Sequence, residues 1–145
     1  GESQVCVNAL DAKNCVNIKN NIMITDRKMS RKHYLEYSLI ENGAVLSNST
    51  FMFVQPKQFE FINPNITYTI DEMSSNYNIT LHSECYAKGV YLEIADMDCI
   101  FSDNWFDMHG SDIHILVKKS TAPINYSCKK LRDNIKVVSY YDMKK

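Results

Sequence analysis

Apolar residues recur at every second position through most of this chain. Val16, Ile18, Ile22 and Ile24 alternate with polar neighbours, as do Leu35, Tyr37 and Leu39. The same spacing returns in Ile66, Tyr68, Ile70, in Tyr77, Ile79, Leu81, in Val90, Leu92, Ile94 and in Ile113, Ile115, Val117. A period of two sends one set of side chains to a buried face and the other to solvent, the mark of a half-buried strand. β-branched and aromatic residues fill these runs, and a 3.6-residue apolar stripe is almost absent. Asn42-Gly43 separates Tyr34–Ile40 from Ala44–Val54 and suits the two positive φ angles of a type I′ hairpin. Pro56 and Pro64 bracket Lys57–Asn63, which reads as a connector between modules. One short helical turn is expected around Ser127–Asp133. Strands at this spacing predict an all-β chain with an immunoglobulin-like β-sandwich at 58–145. A shorter β-rich segment of a second sandwich is expected at 1–57.

Composition narrows the class. The 145 residues are 45% hydrophobic and 23% charged, as in folded globular proteins. A formal net charge of −1 gives no attraction to nucleic acid or to an anionic membrane. Arg27, Lys28, Arg31 and Lys32 form one small basic group, read as a solvated loop or strand edge. No apolar run approaches the roughly 20 residues that span a bilayer. No signal peptide is expected, and Gly1 reads as an engineered start.

The five cysteines, Cys6, Cys15, Cys85, Cys99 and Cys128, include no C-x-x-C pair. That argues against a dense disulfide framework or a structural zinc site and leans towards buried free thiols in the cytoplasm. Sequons at Asn48, Asn65, Asn78 and Asn125 point the other way, to a secretory or lysosomal route. The compartment stays open.

Candidate chemistry concentrates in Tyr91–Asp112, which holds Asp96, Asp98, Asp103, Asp107 and Asp112. Asp96-Met97-Asp98 starts like a calcium loop, but Ile100 and Phe101 stand where further ligands and a glycine are needed. Two of these carboxyls could form a general acid–base pair for glycoside hydrolysis. The competing reading, which we favour, is that Asp and Asn close turns on nearby backbone N–H groups. His33, His82, His109 and His114 lack a zinc-ligand spacing, and His109 and His114 are expected on either side of a turn. Trp105 and Phe106 are read in a turn, either plugging the end of the sandwich or offering rings to a sugar. The first reading is preferred. The chain shows no G-x-S-x-G elbow, P-loop or dinucleotide fingerprint. No catalytic, metal-binding or cofactor-binding residue is therefore assigned, and no cofactor is expected.

Three segments carry a resemblance. Ser49–Phe61 (STFMFVQPKQFEF), Val90–Gly110 (VYLEIADMDCIFSDNWFDMHG) and Ile135–Asp142 (IKVVSYYD) occur in the order and spacing of the C-terminal region of glycoside hydrolase family 2 β-mannosidases. The structural motif is Phe101, Ser102, Asp103, Asn104, Trp105, Phe106 and Asp107. Met108-His109-Gly110 is shorter than the family's Leu-Pro-Gly-type turn, and the first 48 residues match only loosely. The resemblance implies a parent enzyme that removes β-mannose by a retaining, two-glutamate mechanism on a TIM barrel. Such a barrel takes about 250 residues, more than this chain contains, so no catalytic residue carries over. What the resemblance implies for this chain is a terminal Ig-like domain whose partners are the other domains of its parent; the alternatives are a carbohydrate-binding module using Trp105, Phe106 or Tyr91, and a stand-alone Ig-like interaction domain.

Overall fold

A computed structural model describes residues 2, 4–6, 26–95, 98–121 and 126–144. The backbone divides into two compact units, Gly1–Phe59 and Glu60–Lys145. The period-two run Val16–Ile24 lies outside the described residues.

In the first unit, Asp26 caps the short helix α1, Arg27–Ser30, its Oδ1 accepting from the N–H groups of Lys28 at 2.7 Å and Met29 at 3.0 Å. Strands β1 (Tyr34–Glu41) and β2 (Ala44–Met52) then form an antiparallel hairpin. Its turn holds Asn42 at φ 50° and Gly43 at φ 81°, the left-handed pair that a type I′ turn requires. The register slips between Leu39 and Ile40, where β2 accommodates an extra residue. Alternation along β1 does not produce a buried face. Tyr37, Leu39, Ile40, Val45 and Leu46 are all 55–60% exposed. The physical reason is that, among the described residues, the two strands of this unit have no second layer for an apolar face to pack on.

The second unit carries two antiparallel sheets. One is ordered β3 (Thr67–Glu72), β4 (Asn76–His82), β7 (Ile113–Lys118). The other is ordered β6 (Phe106–His109), β5 (Tyr86–Ile94), β8 (Ile135–Val138). Ile70, Tyr77, Ile79, Leu81, Ile115 and Val117 from the first sheet and Val90, Leu92, Ile94 and Met108 from the second join in one buried core. Alternate residues of each strand enter it, as the period-two pattern requires. The fold is all-β and sandwich-like.

Helix α2 (Cys128–Asn134), capped by the Ser127 hydroxyl, adds Leu131 to the core. It matches the helical turn expected there. Ile135–Asp142 resembles the closing strand of the β-mannosidase C-terminal region, but the strand β8 stops earlier, at Val138. Residues Tyr140–Met143 form helix α3 instead, because Ser139 and Asp142 build a reciprocal capping box. The second correction is β6. Phe106 was read as part of a turn, yet it begins a strand that pairs with β5.

The Lys57–Asn63 connector opens with a 3₁₀ turn at Pro56–Gln58. No helix among the described residues is long and apolar enough to cross a membrane.

Candidate functional site

The segment Phe101–Asp107 joins the two sheets of the sandwich at their edges. At its start, Phe101 forms an isolated antiparallel bridge with Val117 of β7. The Ser102 N–H donates to the Leu116 carbonyl at 2.8 Å, and the Leu116 N–H returns a bond to Ser102 Oγ at 2.9 Å. Two residues later the chain has changed sheets. Asn104 Oδ1 accepts from the Leu92 N–H at 2.9 Å, and its Nδ2 donates to the Leu92 carbonyl at 3.0 Å. A side-chain amide thus stands in for one residue of a strand ladder, satisfying both backbone groups of Leu92. Asp103 Oδ1 accepts from the Asn104 N–H at 2.7 Å, the local turn-closing bond that Asp was expected to make.

Trp105 has φ 65°, a left-handed conformation that is an outlier for a bulky residue. Strain of this kind costs about 1–3 kcal/mol and persists where the surroundings fix it. Here the Trp105 N–H donates to Asn104 Oδ1 at 3.1 Å, and its ring lies 4.8 Å from that of Tyr91. A Cβ on Gly89 would sit 3.8 Å from the indole, so the ring also covers this glycine. Trp105 remains 59% exposed. The preference for Trp105 as a core plug is therefore corrected. Its left-handed backbone sets it on the outer side of Tyr91, while Phe101 and Phe106 are the half-buried aromatics that pack against the core.

Asp107 completes the segment. Strand β5 carries a bulge between Ala87 and Val90, with Gly89 at φ 57°. The carboxylate of Asp107 accepts from the Gly89 N–H at 2.8 Å, from the Tyr86 hydroxyl at 2.8 Å and from Lys88 Nζ at 3.3 Å. Burial pushes this carboxyl's pKa up, but the Gly89 N–H, the Tyr86 hydroxyl and the Lys88 ammonium outweigh it and hold the group below the usual carboxylate range. Tyr86 is itself stacked against Phe61 and His109, with ring centroids 6.1 and 5.3 Å apart.

Residues 61–143 match the family model Ig_mannosidase, described as an Ig-fold domain. The match spans more than half of the chain. The chain belongs to this Ig-fold family. A search of curated proteins finds no match to it.

Within the Ig-fold domain, the aspartates singled out in the sequence do not converge. Asp103 closes a turn, Asp107 locks the bulge, and Asp112 pairs on the surface with His82 Nδ1 at 2.8 Å. Asp96 lies outside the described residues, as do Cys15 and the sequon at Asn125. His109 ends β6, and His114 stands on β7, where its Nδ1 is 3.0 Å from Thr80 Oγ1. Among the described residues no group of three or more His, Cys, Asp or Glu side chains is placed to hold a metal ion.

The cysteines were expected to be mostly buried. Cys6 is exposed, and Cys85, Cys99 and Cys128 are half-buried free thiols. Burial pushes the thiols of all three half-buried cysteines upward, so each stays protonated and poorly nucleophilic near neutrality. Of the sequons, Asn48 and Asn65 are exposed, whereas Asn78 is half-buried on the central strand β4.

Sequence reasoning missed the pair of hydrogen bonds between the Asn104 amide and the Leu92 backbone and the grip of Asp107 on the bulge. A lone glycine inside an alternating strand pattern, Gly89 in Tyr86–Ile94, was the available signal for the bulge.

Proposed function

We propose that this chain is a non-catalytic accessory region of a β-mannosidase-like enzyme of glycoside hydrolase family 2. In this reading the Ig-fold domain packs against other domains of that enzyme. The observation that carries it is the match of residues 61–143 to an Ig-fold family of the mannosidase type. The segment Phe101–Asp107 supports it, because its polar side chains are committed to backbone and to neighbouring strands, which suits a rigid scaffold better than a reaction centre. Asp103 and Asp107 both serve local structure, so neither is poised as the acid of a glycosidase pair. Residues 1–57 belong, in the same reading, to the end of a second sandwich. The exposed Tyr37, Leu39, Val45 and Leu46 of the hairpin fit strands that pack against more of such a sandwich.

The tilted Trp105–Tyr91 pair favours a second reading, a carbohydrate-binding surface. The exposed indole offers an apolar face of the kind that stacks on a sugar ring. The two rings lie against one another at an interplanar angle of 34°, so they do not extend one flat platform.

One pair of assays separates these readings. Purified chain incubated with an aryl β-mannoside is expected to give no turnover. Turnover that disappears in Asp103→Asn or Asp107→Asn would overturn the accessory reading. Titration calorimetry with manno-oligosaccharides is expected to show no saturable heat of binding. Saturable binding abolished by Trp105→Ala, with the unfolding midpoint unchanged, would establish the sugar-binding reading instead.

A further inference from the structure

The sequon asparagines among the described residues are Asn48, Asn65 and Asn78, and the fold separates them. Asn48 stands within β2, opposite Ser38, and Asn78 stands within β4, between Asp71 of β3 and Leu116 of β7. Asn65 lies outside any strand, in the turn that leads into β3. Its local sequence is Asn63-Pro64-Asn65, and Asn-Pro initiates turns. Asn63 Oδ1 accepts from the Asn65 N–H at 3.2 Å, and Asn65 takes φ 45°, a left-handed angle that Asn tolerates. Two bonds hold this turn to the one between β4 and β5. The Glu84 N–H donates to the Pro64 carbonyl at 2.9 Å, and Cys85 Sγ donates to the Asn63 carbonyl at 3.7 Å. Asn65 is thus an exposed asparagine on an anchored turn.

Its amide is oriented as well. Nδ2 donates to Glu84 Oε2 at 2.6 Å, which uses one of its two N–H groups. Thr67, the third residue of the sequon, is exposed at the start of β3, which is an edge strand of its sheet among the described residues. Asn78 is placed differently. It is half-buried, and its Nδ2 donates to the hydroxyl of its own sequon, Thr80 Oγ1, at 3.4 Å. That oxygen is 3.0 Å from His114 Nδ1 on the neighbouring strand. A large group on Asn78 would have to stand on a sheet face that is paired on both sides, whereas glycans sit on accessible surface.

We propose that Asn65 is an N-glycan acceptor of the Ig-fold domain and that Asn78 is not. The co-substrate is an oligosaccharide carried on a lipid pyrophosphate. In the transfer, Asn65 Nδ2 bonds to the anomeric carbon of the first sugar and gives up one proton. The carbon–oxygen bond to the pyrophosphate breaks, and the lipid pyrophosphate leaves with the bonding pair. The product amide keeps one N–H, the number that the bond to Glu84 requires. Glu84 is therefore a positioning residue that holds the linkage in a fixed direction, and no strand pairing is displaced.

The test expresses the full chain behind a secretion signal in eukaryotic cells. Glycans are released with peptide N-glycosidase in heavy-oxygen water, which converts each formerly glycosylated Asn into labelled Asp. Cleavage at Glu72 then puts Asn65 and Asn78 on different peptides for mass spectrometry. Label is expected at Asn65 in most molecules and at Asn78 in few. Thr67→Ala should remove the label from Asn65 while leaving the turn residues themselves unaltered. Thr67→Ser should keep it, because the sequon requires a hydroxyl at its third position. An unchanged melting transition, followed by Trp105 fluorescence, checks that both variants fold. Unlabelled Asn65 in the wild-type chain, label at Asn78 as frequent as at Asn65, or label at Asn65 that survives Thr67→Ala would overturn the proposal.

Discussion

Replacing Leu92 with alanine should destabilise the Ig-fold domain by about 3–5 kcal/mol, the range for a large-to-small change in a packed core. Leu92 is 1% exposed, lies on the central strand β5 and belongs to the buried core to which both sheets contribute. Its backbone is also held by Asn104 at both the N–H and the carbonyl, so the strand has little freedom to close over the cavity. A domain of this size is stable by about 5–15 kcal/mol in total, so the change removes a large share. The unfolding midpoint should fall by more than about 12 °C. Trp105 is the only tryptophan and lies in this domain, so its fluorescence reports the transition without interference from the hairpin. A shift of only a few degrees would mean that the two sheets do not share the core described above.

Asp107→Asn should cost about 3 kcal/mol. The variant leaves the Gly89 N–H and the Tyr86 hydroxyl facing an amide with one acceptor, and it removes the countercharge of Lys88. Its pH dependence has a definite sign. The folded-state pKa of Asp107 lies below its ordinary value, with burial opposing and the three donors prevailing. The stabilisation is therefore complete above the ordinary carboxyl value of about 4 and is lost as pH falls through the folded value. Urea unfolding of wild type and Asp107→Asn at neutral pH and in steps below about pH 4 checks this. The gap between the two should be full at neutrality and should narrow on acidification. A gap that widens as pH falls would place the carboxyl's role elsewhere.

Much of this architecture is legible in the chain itself. Tyr77-Ile79-Leu81, Val90-Leu92-Ile94 and Ile113-Ile115-Val117 each give a strand where alternation predicts one, because a sandwich buries one face of every strand. Asn42-Gly43 gives its turn for a purely local reason, the ease of positive φ at both positions. The failures are also physical. Strand β6 reads Phe-Asp-Met-His, with an Asp on it that no β propensity favours, and it pairs because Asp107 meets the bulge of β5. Helix α3 was hidden inside an apparent strand, although Ser139 and Asp142 at capping-box spacing were available to reveal it. Trp105 could not be placed by pattern, since its exposure follows from a left-handed φ that its neighbours impose.

The most direct test of the account expresses the complete gene product that contains this chain, with and without the Ig-fold domain Glu60–Lys145. The account predicts a product with a glycoside hydrolase barrel that hydrolyses aryl β-mannosides. Removal of the domain should lower its melting temperature. A product that lacks such a barrel, or one whose melting temperature and β-mannoside hydrolysis are both unchanged by the deletion, would contradict it.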